Sequence, residues 1–104
     1  MVVEERNYLF QPANFRRFLT LFESEGIALM RKHLGQSIGV FTTETGELNT
    51  VVQLWVYPDV AERERRRAAM WADSRWLAYA EQVLPWIVRM ETRLLKPTTF
   101  SALR

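Results

Sequence analysis

The chain contains no cysteine and a single histidine, His33. Without thiols it can form neither disulfides nor thiolate metal sites, and it has no cysteine nucleophile, a composition that suits a reducing compartment. With one histidine and no carboxylates grouped around it in sequence, neither a zinc site nor a Ser/His/Asp triad is expected. Glycine is sparse too, and the scatter of Gly26, Gly35, Gly39 and Gly46 does not match a phosphate-cradling loop. No apolar run approaches the roughly 20 residues of a membrane span. Glu4, Glu5 and Arg6 interrupt the stretch where a secretion signal would need its apolar centre. The expectation is a cytoplasmic protein with no cofactor, no metal and no membrane partner.

Charge is equally modest. Fourteen Lys and Arg against twelve Asp and Glu leave +2, too little for a field that steers nucleic acid. The basic run ERERRR, Glu62 to Arg67, is interleaved with glutamates. Glu62 and Arg66 stand at i, i+4, so a solvated, locally ion-paired helix face is expected and no nucleic-acid partner.

What is abundant is aromatic surface. Four Trp, six Phe and three Tyr in 104 residues are a heavy load for the one domain, residues 1–104, that this length allows. Aromatics that exceed one modest core belong in an interface or a ligand pocket.

Val2 to Phe10 suits a pleated surface and ends at Gln11-Pro12, predicting a first strand. Phe15, Phe18, Leu19 and Phe22, then Leu29, Met30 and Leu34, recur at helical spacing up to Gly35. They predict one long amphipathic helix, N-capped by Asn14 and eased at Gly26, with its Phe residues in the core. Ser37 to Thr43 and Leu48 to Tyr57 flank Glu44-Thr45-Gly46-Glu47 and predict a hairpin. Asp59 and Glu62 have capping-box spacing before a helix that reaches about Trp71. Ser74 opens a shorter helix carrying Trp76 and Tyr79, expected at the mouth of a pocket. Pro85 to Leu95 reads as the last strand. This βαββαβ order is that of a ferredoxin-like α+β fold, a four-stranded antiparallel sheet with helices on one face.

Period-two alternation sorts the strand residues into two sets. The more apolar set, Val52, Leu54 and Val56 with Ile38, Val40, Val88 and Met90, is expected beneath the helices. Glu5 falls in that register beside Val3 and conflicts with it. The other set is Glu4, Arg6, Tyr8, Phe41, Thr43, Gln53, Trp55, Tyr57, Arg89, Glu91 and Arg93. Aromatics beside charges make neither a good core nor a good solvated surface, so this face calls for a partner. Two such sheets packed face to face would pair the charges inside a closed barrel, a symmetric homodimer.

The pieces Glu4-x-Arg6-x-Tyr8, Phe41-Thr42-Thr43-Glu44-x-Gly46-x-Leu48-Asn49 and Val51-Val52-Gln53-Leu54-Trp55-x-Tyr57 stand in a specific order. Downstream follow Arg63, Arg65-Arg66-Arg67-Ala68, Trp76, Tyr79, Glu91, Leu94-Leu95 and Pro97-x-x-Phe100-Ser101. In this order and spacing the chain resembles the NIPSNAP domain, a member of the dimeric α+β barrel superfamily. The resemblance implies a homodimer with a central cavity and carries no established reaction with it. Gln53 departs from the His expected in many relatives, and Glu5 from an apolar residue. Glutamine hydrogen-bonds but cannot titrate, so acid or base work would fall to Glu4, Glu91 or a tyrosine.

Three functions follow as expectations. In the first, a small amphipathic ligand binds in the barrel at Arg6, Tyr8, Phe41, Thr43, Gln53, Trp55, Tyr57 and Arg93. In the second the protein is a cofactor-independent enzyme, as the monooxygenases and isomerases of the wider superfamily are, with Glu4 or Glu91 as base and Arg6 or Arg93 on the substrate's anion. In the third it is a structural or interaction dimer. Ion pairs among Glu4, Arg6, Arg89 and Glu91 explain those residues without catalysis, which favours binding over turnover.

Overall fold

The computed structural model describes all 104 residues. In chain order they form β1 (Val2–Phe10), α1 (Pro12–Leu21), a π-helical turn (Phe22–Gly26), α2 (Ile27–Leu34), β2 (Ser37–Thr42), β3 (Thr50–Tyr57), α3 (Val60–Trp71), α4 (Ser74–Val83), a 3-10 turn (Leu84–Trp86) and β4 (Ile87–Leu95). All pairings are antiparallel in the order β2-β3-β1-β4, the ferredoxin-like topology, so β1 and β3 are central.

Local chemistry accounts for the boundaries. Pro12 occupies the start of α1, where its fixed φ and missing N–H do no harm, and Gln11 rather than Asn14 takes the N-cap position. Gly35 ends α2 at φ 90°, open to a residue without Cβ. Asp59 Oδ1 accepts from the Glu62 N–H at 2.7 Å. The Glu62 side chain does not close the expected capping box. It pairs instead with Arg65 and, at 2.8 Å, with Arg66. His33 Nε2 lies 2.8 Å from Asp73 Oδ2, tying the end of α2 to the N-cap of α4. Pro85 lies in the 3-10 turn, so β4 begins at Ile87.

The long first helix is interrupted at the glycine where easing was expected, by a full π turn. Glycine is needed at its end because α4 approaches closely: a Cβ on Gly26 would lie well inside 3 Å of the Tyr79 Cζ and Oη atoms.

On the central strands β1 and β3 the two sheet faces are reversed from the expectation, whereas on the edge strands Val40 and Met90 share the helix-side face with Gln53 and Tyr8, and Phe41, Arg89, Glu91 and Arg93 the open one, as expected. Val2, Glu4, Arg6 and Phe10 face the helices, in register with Tyr57, Trp55, Gln53 and Val51 or close to them. Val3, Glu5, Asn7 and Leu9 share the open face with Val56, Leu54 and Val52. Bulk decides this. Trp55 and Tyr57 each bury far more apolar area than a valine, and the charged groups between them satisfy one another, so the polar-aromatic face is the better core. Phe10, Phe18 and Phe22 stack beneath it, with ring centroids 4.2 and 5.3 Å apart. Ile38, Val40, Val88 and Met90 lie on the edge strands and are exposed, although Met90 still meets Arg6 Nη2 through its sulfur at 3.9 Å. Glu5 causes no bulge: on the open face it accepts from Arg93 at 3.0 Å, and the irregularity against β4 falls at Leu9/Phe10. No helix is long and apolar enough to cross a membrane.

Candidate functional site

The centre of the buried face is a carboxylate clasp. Glu4, wholly inaccessible on β1, accepts from Arg6 Nη1 at 3.1 Å and from Arg63 Nε and Nη2 on α3 at 2.8 and 2.6 Å, all on Oε2. The Tyr57 hydroxyl donates to Oε1 at 3.0 Å. Burial alone raises a carboxyl pKa, but Arg6 and Arg63 outweigh it and hold Glu4 ionised, below the usual carboxylate range. Burial and the neighbouring Glu4 together push the Tyr57 phenol well above its ordinary value. Arg6 also donates through Nε to the Tyr8 hydroxyl at 2.7 Å.

Beside the clasp, between the sheet and the helices, lies a cavity of about 80 Å³. Phe18, Phe22, Met30, Val83 and Ile87 form much of its apolar wall, and the exposed Trp71, Leu84 and Met90 mark its opening. Only Arg6, Gln53 and Arg67 among its lining residues are not hydrophobic or aromatic. Three buried atoms of that wall have no hydrogen-bond partner: Gln53 Nε2, Arg67 Nη1 and Trp76 Nε1. The Gln53 orientation is dictated by Trp55, whose indole can only donate and does so to Oε1 at 3.0 Å, leaving the NH2 unmatched. Arg67 forms no salt bridge, and burial together with the Arg6 charge lowers its pKa.

The expected site residues therefore separate. Arg6, Tyr8 and Gln53 line the cavity; Trp55 and Tyr57 are buried on the same side, serving Gln53 and Glu4 without forming its wall. Glu4 is not part of the wall either. Phe41, Glu91 and Arg93 lie on the open face, and Thr43 just past the end of β2. Trp76 and Tyr79, expected at the mouth, are buried in the wall, while Trp71 stands at the opening. The run from Glu62 to Arg67 is not wholly solvated: Arg63 reaches Glu4, Arg66 donates to the Leu34 carbonyl at 2.9 Å, and Arg67 lines the cavity. Arg63, Arg67 and Met70 fall at i, i+4 and i+7, one helical stripe, and that spacing was the available signal. No group of three His, Cys, Asp or Glu is arranged to hold a metal ion.

Fold and site together define a class: a ferredoxin-like α+β domain with a small, donor-rich pocket under its helices. Within that class the chain belongs to the NIPSNAP family, whose model matches residues 3–102. A NIPSNAP family protein of Agrobacterium tumefaciens superposes with a TM-score of 0.96 at 38% identity, covering 99% of this chain and 98% of its own. A NIPSNAP-like domain protein of Burkholderia xenovorans is 46% identical, with a TM-score of 0.91 over 96% of this chain and 87% of its own. A NipSnap protein of Caenorhabditis elegans is 31% identical over 98% of this chain, which spans 19% of that relative's length. NipSnap homolog 1 of Danio rerio is 34% identical over 71% of this chain and 26% of its own length. An antibiotic biosynthesis monooxygenase, 12% identical with a TM-score of 0.65 over 94% of this chain and 99% of its own, shares the fold alone.

Proposed function

We propose that the protein binds a small amphipathic molecule in the cavity between sheet and helices of each subunit, and that two chains associate through their open sheet faces. The observation that carries the first part is the set of three unpartnered buried donors, at Gln53, Arg67 and Trp76, in a cavity that is otherwise apolar and opens to solvent. Folded interiors pair their buried polar groups, and an unpaired donor costs about 1–3 kcal/mol. Three in one wall are best explained by an occupant. Homodimerisation is supported by the half-buried Leu9, Val52, Leu54 and Val56 and the exposed Phe41, which lie together on the uncovered face.

Catalysis has less support. A base must reach a substrate proton, yet Glu4 is saturated by Arg6, Arg63 and Tyr57 and lies outside the cavity wall, and Glu91 is exposed on the opposite face. Native mass spectrometry of freshly purified protein, followed by NMR titration with neutral and charged fragments, tests both parts. A dimeric mass is expected, together with fragment-induced shifts at the Met30, Val83 and Ile87 methyls. A monomer overturns the association, and methyls that respond to no fragment overturn the pocket.

A further inference from the structure

The three unpartnered groups share a chemical character that narrows the ligand. Each is a donor: an amide NH2, an indole N–H and a guanidinium. Among the acceptors of the wall, Gln53 Oε1 already accepts from Trp55 and the Tyr8 hydroxyl from Arg6. A water molecule brings two protons as well as two lone pairs, so it meets unmatched donors with only half of its capacity, whereas a carboxylate meets them with all of its own. A group that only accepts fits better.

Charge points the same way. Three guanidiniums, Arg6, Arg63 and Arg67, gather around one buried carboxylate. Glu4 pairs with the first two, and Glu64 also pairs with Arg63, which leaves Arg67 with no carboxylate in ion-pair contact and only the more distant Glu4 charge in its favour. Its cationic form is disfavoured by burial and by Arg6, so one added negative charge restores the balance. A planar carboxylate presents two oxygens to a guanidinium fork and keeps lone pairs for two further donors. We propose that the polar end of this cavity is a carboxylate site, and that the ligand is a small monocarboxylic acid whose apolar body lies among Phe18, Phe22, Met30 and Val83. This rests on the reading that the cavity holds a ligand. Size limits the body. The cavity, at about 80 Å³, is roughly half the ~150 Å³ space that admits benzene in an engineered core. A short chain fits inside, and a longer one must leave past Trp71 and Leu84.

The test is an NMR and calorimetric titration of the full chain with butyrate, its neutral isostere butyramide and inorganic phosphate. Butyrate is expected to move the Trp76 indole N–H resonance and to bind at least about tenfold more tightly than butyramide, the worth of one charge-assisted hydrogen bond. Arg67→Gln should abolish that preference. Trp76→Phe, which removes one N–H and keeps a ring, should weaken butyrate without strengthening butyramide, and it serves as the second variant if Arg67→Gln does not fold. Equal binding of butyrate and butyramide, binding of neutral fragments without butyrate, or preference for phosphate overturns the carboxylate site and leaves the pocket standing. Silence of the pocket methyls to every compound overturns the pocket itself.

Discussion

Arg63 Nη2 on α3 lies 2.6 Å from Glu4 Oε2 at the middle of β1, so a helix is fastened to the sheet through a carboxylate with no solvent contact. Removing one member of a buried, hydrogen-bonded ion cluster is more damaging than the cluster is stabilising, because the remaining charges stay buried. Glu4→Gln leaves Arg6 buried without its counter-ion and is expected to lower stability by about 3 kcal/mol. Arg63→Met should cost less, since Glu4 then keeps Arg6 and Tyr57. Urea unfolding of the two variants and the double mutant reads both effects. Equal and strictly additive losses would show that the clasp does not act as a unit.

The same carboxylate sets an acid limit. Its folded pKa is depressed by Arg6 and Arg63 despite burial. Its contribution is therefore complete above the unfolded value of about 4.3 and is lost as pH falls from there through the folded value. Asp73 acts in the same direction, held low by hydrogen bonds from His33 and the Arg75 backbone. The melting temperature of the wild type should fall steeply below about pH 4.3, while Glu4→Gln, lacking that titration, falls less. Parallel melting curves for the two proteins between pH 7 and pH 3 would contradict this.

The order of elements was open to reading from alternation, turn glycines and caps, and β1, the hairpin and α3 follow the expected bounds closely. The assignment of faces on the two central strands was not, for a reason visible in β3. Counting apolar residues favours Val52, Leu54 and Val56, whereas the area actually buried favours Trp55 and Tyr57, provided that Glu4 and Gln53 between them find partners. Those partners come from Arg63 on α3 and from Trp55 itself, and only the fold brings Arg63 there. The pocket residues followed the same divide. Arg6, Tyr8 and Gln53 were readable as one strand face, but the unmatched donors depend on the side chains that do not reach them.

Gly26 offers a test of the helix-to-helix approach. Alanine is favoured over glycine inside a helix by about 1 kcal/mol, so an exposed Gly→Ala change would stabilise. Here the added Cβ would meet the Tyr79 ring and stand 2.8 Å from Phe22 Cδ1, both in the core. Overpacking of this kind costs about 1–3 kcal/mol, which cancels or exceeds the gain. Gly26→Ala should therefore be neutral to about 2 kcal/mol less stable, and should alter the cavity, since Phe22 and Tyr79 line it. Trimming the ring in Gly26→Ala/Tyr79→Leu should recover part of the loss. Stabilisation of the single variant in a thermal melt would mean that α4 does not pack as closely as described.

The open sheet face carries the remaining prediction. An isologous contact repeats every side chain across a two-fold axis, so one substitution counts twice. Leu54 sits half-buried on the central strand β3, opposite Glu5, and Glu5 pairs with Arg93 across β1 and β4. Leu54→Lys removes an apolar side chain worth about 1.5–3 kcal/mol when fully buried and sets two like charges near the axis. The proposed association should weaken by at least about a hundredfold, or 2.7 kcal/mol. The fold should survive, because Leu54 points away from the helices and from the Glu4 clasp. Sedimentation equilibrium is expected to give a monomer with an unchanged circular dichroism spectrum. A variant that keeps its dimeric mass would move the contact elsewhere, and Phe100, 86% exposed in the C-terminal tail, is the first residue to substitute in that case.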